Sequence, residues 1–90
     1  MDKLTSLWSQ IHALGMYLHQ NTKLKITTIF DGDADSYMMT ITNNNGETIY
    51  THSIEGISVK ATSMVEFDMK QLINYLLELK KLKENEEIKQ

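Results

Sequence analysis

Residues 23–56 read KLKITTIFDGDADSYMMTITNNNGETIYTHSIEG, and this stretch decides the fold. Side chains alternate with a period of two in residues 23–30, 37–42 and 47–53, as in β-strands that have one covered face. Asn45-Gly46 separates the second run from the third and accepts the positive φ angles of a tight hairpin turn. Connections this short join antiparallel strands, since parallel strands need long crossovers. The stretch predicts an antiparallel meander.

A fourth strand is predicted directly after this stretch. Glu55-Gly56 is typical of a second tight turn. Beyond it, residues 57–61 alternate again, with Ile57, Val59 and Ala61 on one side.

Amphipathic helices are predicted on both sides of the meander. Residues 2–19 carry apolar side chains at the spacing of one helical face, and Gly15 falls on the same stripe, where it permits close approach of another element. Ser63 and Glu66 form the pattern of a capping box that opens the second helix. Its apolar stripe consists of Val65, Met69, Leu72, Ile73, Leu76 and Leu79.

The predicted fold class is therefore α+β: helix, four-stranded antiparallel meander, helix, with both helices packed on one sheet face. We expect a single domain over residues 1–83 and a polar C-terminal tail over residues 84–90. A chain of 90 residues has the length of one domain.

Composition disfavours several function classes. The chain has no cysteine and no proline, all nine basic residues are lysine, and the net charge is −3. Arginine is the residue best suited to forked phosphate contacts, so its absence disfavours nucleic acid as a partner. No apolar run approaches the ~20 residues of a membrane span. We expect a cytoplasmic protein of an AT-rich bacterium or one of its phages.

The acidic segment Asp31-Gly32-Asp33-Ala34-Asp35-Ser36 begins like a calcium-binding loop. The match then fails, because Ser36 replaces the expected glycine and Thr42 the expected glutamate. We interpret Asp31, Asp33 and Asp35 as residues of a solvated turn. Weak binding of a divalent ion, or contact with a basic patch on a partner, remain as alternatives.

No catalytic or metal-binding motif stands out. His12 and His19 are seven residues apart on one helix, too far to chelate one ion, and His52 is on a strand. None of the serines and threonines sits in a nucleophile motif, and the four glycines are not clustered. We therefore expect no enzyme activity, no metal and no cofactor.

Two surfaces are candidates for binding another protein. The alternation places four apolar residues on the sheet face away from the helices, where they would form an interaction patch: Ile29, Met38, Tyr50 and Ile54. The alternative is that these strand faces are misassigned or that the sheet is buried on both sides.

The second candidate surface is the end of the last helix. This helix is longer than the strands it covers, so Leu77, Leu79 and Leu82 would overhang the sheet. They would contact a partner or a second copy of the chain.

Together these features favour a small, non-enzymatic protein-binding module with a larger protein as its partner. In a bacterial or phage setting, this class includes inhibitors of a host defence protein. One alternative is a homodimeric assembly or regulatory subunit that pairs through the C-terminal helix. Another is a nucleic-acid-binding regulator, since double-stranded RNA-binding domains also run helix, strands, helix. Those domains open their last helix with basic residues, whereas residues 63–68 here are acidic.

Overall fold

The computed structural model describes residues 3–89, and the side chains of residues 3–85. Its elements are α1 (Lys3–Asn21), β1 (Lys25–Asp31), β2 (Ser36–Thr42), β3 (Thr48–Glu55) and α2 (Thr62–Lys89). The strands form one antiparallel sheet in the order β1-β2-β3. The α+β class and the antiparallel meander are confirmed, but the described residues contain three strands, so the prediction of four is wrong.

Residues 57–61 form a turn because their backbone amides bond to carbonyl groups outside any strand ladder. Gly56 has a φ of 64°, which reverses the chain at the end of β3. The amides of Val59 and Lys60 then bond to the Gly56 carbonyl at 3.1 and 2.8 Å, as in one turn of helix. The amide of Ile57 bonds to the Asp35 carbonyl at 3.2 Å. These bonds replace the ladder that a fourth strand would need.

The β2–β3 hairpin forms at the predicted place, but of Asn45-Gly46 only Gly46 has a positive φ, and a bulge follows the turn. Gly46 has a φ of 84°, and its amide bonds to the Asn43 carbonyl at 3.1 Å. Ile41 pairs with Tyr50, but Thr42 pairs with Thr48, so β3 carries one extra residue at this point. Beyond this extra residue Tyr50 lies opposite Ile41, which is also the pairing that a two-residue Asn45-Gly46 turn would give.

The two helices run parallel to each other across one face of the sheet. Lys3 near the start of α1 pairs with Glu66 near the start of α2, with Nζ and Oε1 3.1 Å apart. Near the other end, the Tyr17 hydroxyl donates to Oε1 of Glu84 at 2.8 Å. Packed helices lie about 8–10 Å apart, which matches two strand spacings of about 4.8 Å. Thus α1 contacts β1, and α2 contacts β3.

The core lies between the helices and this face of the sheet. Gly15 is buried there, and a Cβ atom at this position would be 3.6 Å from Cε of Met39, an ordinary contact distance. The sheet therefore contacts α1 at Gly15, but not so closely that only glycine would fit, and the predicted reason for this glycine is not found. The largest fully buried side chains are Ile11, Leu18, Met39, Ile41, Ile54, Met69, Leu72, Leu76 and Val65.

Helix α2 continues beyond the predicted end of the domain. We expected a polar tail from Glu84, but the helix extends to Lys89, and Gln90 lies outside the described residues. Glu84 bonds to Tyr17 and pairs with Lys80, so it belongs to the contact between the helices. Neither helix, over residues 3–89, combines the length and hydropathy needed to cross a membrane.

Candidate functional site

The sheet has one face that no described helix covers, which we call the open face. Alternation along each strand, together with the observed pairing, assigns the side chains that point to this face. They are Lys25, Thr27, Ile29 and Asp31 of β1, Ser36, Met38, Thr40 and Thr42 of β2, and Ile49, Thr51, Ser53 and Glu55 of β3.

The centre of the open face carries no charge. One cross-strand row consists of Thr27, Thr40 and Thr51, and the next consists of Ile29, Met38 and Ser53. The side chain of Ile29 is 50% exposed. The flanking row combines Asp31, Ser36 and Glu55, so the acidic charge of this face lies at one end. The open face is thus an uncharged hydroxyl and aliphatic surface with an acidic border.

Only two of the four predicted open-face residues lie there. Ile29 and Met38 pair with each other across β1 and β2 on the open face. Tyr50 and Ile54 point to the helices, and Ile54 is fully buried, so their predicted placement is wrong. The pairing places them there, because Tyr50 lies opposite Ile41 and Ile54 lies opposite Tyr37, both on the helix side.

Tyr50 belongs to a stack of rings between β3 and α2. Its ring lies 3.6 Å from that of Tyr75, measured between centroids, at an angle of 11°. The Tyr50 hydroxyl lies 2.9 Å from Nδ1 of His52, and Nε2 of His52 lies 3.1 Å from the Asp68 carbonyl. Burial raises the pKa of Tyr50, and the neighbouring Tyr75 adds to the shift. Both His52 nitrogens have partners, so these contacts hold β3 against α2.

The end of α2 is exposed at two of the three predicted positions. Leu77 and Leu82 are 47% and 59% exposed. Leu79 is only 8% exposed, because it continues the buried stripe of Leu72 and Leu76. Its predicted placement on an accessible surface is therefore wrong.

The acidic segment forms the β1–β2 turn, and its carboxylates bind protein donors. Oδ1 of Asp31 accepts the amides of Asp33 and Ala34 at 3.0 and 3.1 Å. Asp35 has a φ of 52° and accepts the amide and the hydroxyl of Ser58. Among the described residues, no group of three or more histidine, aspartate or glutamate side chains could hold a metal ion.

An apolar cleft at the same end of the sheet was missed by the sequence analysis. Its walls are Trp8, Phe30, Tyr37 and Ile57, and its volume is about 230 Å³. Phe30 lies on the same side of β1 as Ile26, but 67% of its surface is exposed. The Trp8 ring packs on Tyr37, with centroids 4.8 Å apart. Because Trp8 covers Tyr37, the neighbouring Phe30 is left at the rim.

A second groove runs between α1 and the edge strand β1. It measures about 320 Å³, and His12, Met16 and His19 line its helical side. Ile26 and Thr28 line the side of β1. Met16 is 42% exposed, so α1 does not fully cover the strand beneath it.

The comparisons with known proteins give no match. No protein-family model and no curated protein matches the sequence significantly, and no solved structure significantly matches the fold.

Proposed function

We propose that the chain is a small, non-enzymatic protein-binding module that acts in the cytoplasm and docks on a larger protein through the open face. The class that fits a small protein of an AT-rich bacterium or phage is an inhibitor of a host defence protein. The proposed activity requires no metal and no cofactor.

The uncharged centre of the open face is the observation that carries this proposal. In antiparallel sheets, the face that is exposed to solvent usually carries polar and charged side chains. Here Ile29, Met38 and Ile49 lie among threonines and Ser53, without a charge in the two central rows. Covering such a surface requires no ion to be desolvated, and each hydroxyl that is covered has to find a hydrogen-bond partner. Its threonine hydroxyls supply the hydrogen bonds that give an interface specificity.

The border of the open face indicates the charge of the partner. Asp31 and Glu55 lie in one row at the end of the sheet, beside the row that contains Ile29. A partner surface with basic side chains at one end of an aliphatic and hydroxyl-rich centre would be complementary to this arrangement.

The area of one open face also bears on the proposal. Three strands of about six residues cover about 300 Å², whereas a stable interface buries about 800 Å² per partner. One open face is therefore too small on its own, and docking has to extend beyond it.

Nucleic-acid binding remains the less favoured function. The element order of one helix, three strands and one helix is shared with double-stranded RNA-binding domains. The first turns of α2 lack their basic cluster, and Glu66 pairs with Lys3 at 3.1 Å and with Lys70 at 2.8 Å. Both lysines are thereby engaged by a carboxylate. Binding to duplex RNA that falls steeply with salt would favour this function over protein binding.

The proposal is tested by capture from a lysate of a low-GC bacterium with three immobilised baits. The first is the parent chain, the second is Met38→Asp, and the third is the control Asn74→Asp, which adds the same charge on an exposed part of α2. We expect one stoichiometric protein on the parent and on the control, and its loss from Met38→Asp. A protein retained equally by all three baits, or none enriched by the parent, would count against the open face.

A further inference from the structure

Strand β1 is an edge strand without the usual protection against pairing. In natural proteins, edge strands are protected against pairing with another chain by proline, by bulges, by charged side chains within the strand or by a covering element. The chain has no proline, and all seven β1 residues pair in sequence with β2 without a shift. Charges occur only at its two ends, Lys25 and Asp31, and six of its seven residues are exposed. The edge is regular and accessible.

The sequence of β1 is complementary to itself when read in the antiparallel direction. If two copies pair around Thr28, Lys25 of one copy lies opposite Asp31 of the other, and this contact occurs twice. In the same register, Ile26 lies opposite Phe30, and Thr27 lies opposite Ile29. Opposite charges and pairs of β-branched and aromatic side chains are the combinations that stabilise adjacent antiparallel strands.

In this register, the side chains that lie opposite each other point to the same face of the sheet. Ile26 and Phe30 both point to the helix side of the sheet, whereas Thr27 and Ile29 both point to the open face. Ile26 lines the groove of about 320 Å³ between α1 and β1. Pairing would bring Phe30 of one copy to the groove of the other, and would thereby cover a ring that is 67% exposed in one chain.

The groove leaves room above the edge for the second copy. Thr28 and Phe30 are exposed even though they point to the helix side, so α1 stands back from the edge. Met16 faces the same groove and is 42% exposed. In a pair of chains, Met16 of each copy would lie beside the junction of the two β1 strands.

We propose that the chain forms a two-fold homodimer in which the β1 strands pair antiparallel around Thr28 and create a six-stranded sheet. A closed two-fold interface uses the same patch on both copies, as this register requires. The dimer would join two open faces into one surface of about twice the area. This inference concerns the purified chain alone and does not depend on the proposed function.

The test is sedimentation equilibrium of the full chain over a wide range of concentrations. Lys25 and Asp31 lie about 20 Å apart at opposite ends of one strand, so a coupling between them can arise only between two copies. We expect the parent chain to sediment as a dimer and Lys25→Glu to weaken dimerisation about tenfold, because Glu would face Asp31 twice. The double variant Lys25→Glu/Asp31→Lys should recover most of that loss.

Two further variants keep the test decisive. Lys23→Glu makes the same charge change just before β1 and should leave the dimer unchanged. Phe30→Ser removes an exposed ring without touching the β1–β2 turn and should dissociate the dimer, with circular dichroism confirming the fold of every variant. A parent chain that stays monomeric at all concentrations overturns the proposal. So does a dimer that tolerates Lys25→Glu and Phe30→Ser but is lost in Leu77→Lys/Leu82→Lys, since that result assigns the interface to α2.

Discussion

The carboxylate of Asp35 binds both donors of Ser58, the amide at 2.7 Å and the hydroxyl at 2.9 Å. These residues are 23 positions apart, and their contact ties the β1–β2 turn to the segment between β3 and α2. The carboxylate that the sequence offered as a metal ligand is thus occupied by protein donors.

Replacing Asp35 by Ala should destabilise the fold. The change removes two hydrogen bonds to a charged acceptor, and we expect a loss of about 1–3 kcal/mol in the free energy of unfolding. Asp33→Ala, at an exposed position of the same turn, should change it by less than about 0.5 kcal/mol. Urea denaturation followed by circular dichroism measures both. Calcium should stabilise neither the parent nor the variants, and a calcium-dependent rise in the parent alone would restore the metal-site interpretation.

Replacing Gly15 by Ala should stabilise the protein. Alanine is favoured over glycine inside a helix by about 0.5–1 kcal/mol. The new methyl group would lie 3.6 Å from Cε of Met39 and 3.7 Å from Cγ2 of Ile26, which requires no rearrangement. Thermal denaturation should show a higher melting temperature. A lower one would mean that the sheet approaches α1 more tightly than the structure indicates.

The two leucines at the end of α2 should respond differently to truncation. Leu79→Ala removes a side chain that is 8% exposed, and we expect a loss of about 2–4 kcal/mol. Leu82→Ala removes one that is 59% exposed and should change stability by less than about 0.5 kcal/mol. Equal effects in chemical denaturation would contradict the observed orientation of α2.

Acid should weaken the contacts between the helices. Lys70 and Lys3 hold the pKa of Glu66 below its ordinary 4.5, and the Tyr17 hydroxyl and Lys80 lower the pKa of Glu84 in the same way. A lowered pKa in the folded state adds stability that is fully present above the unfolded value and is lost as the pH falls through the folded value.

The free energy of unfolding should therefore decline as the pH drops below 4.5, and less steeply in Glu66→Gln/Glu84→Gln. Glu78→Gln, an exposed position on the same helix, serves as the matched control. A parallel decline in all three proteins would show that these two carboxylates do not contribute to the acid response.

Local patterns predicted most of the fold. Period-two alternation identified β1 and β2, the Asn45-Gly46 turn identified the hairpin, and helical spacing identified both helices. These signals arise from neighbouring residues and from one covered face, so they can be recognised in the sequence without the tertiary structure.

Contacts between distant residues account for the errors. Tyr50 and Ile54 face the helices because they lie opposite Ile41 and Tyr37, and alternation within one strand does not by itself fix the face of the next strand. The bonds of Asp35 to Ser58 replaced a plausible fourth strand by a turn. Phe30 matched a core position in the pattern, but its exposure depends on where Trp8 packs. Half of the predicted sheet patch, Ile29 and Met38, nevertheless lies on the open face.

The central claim is that a partner protein binds the open face, and titration calorimetry with the captured partner tests it most directly. The parent chain and Asn74→Asp should bind with the same affinity, while Met38→Asp, with an unchanged circular dichroism spectrum, should bind at least about tenfold more weakly, a difference of about 1.4 kcal/mol. Equal affinity of all three proteins for the partner would contradict the claim.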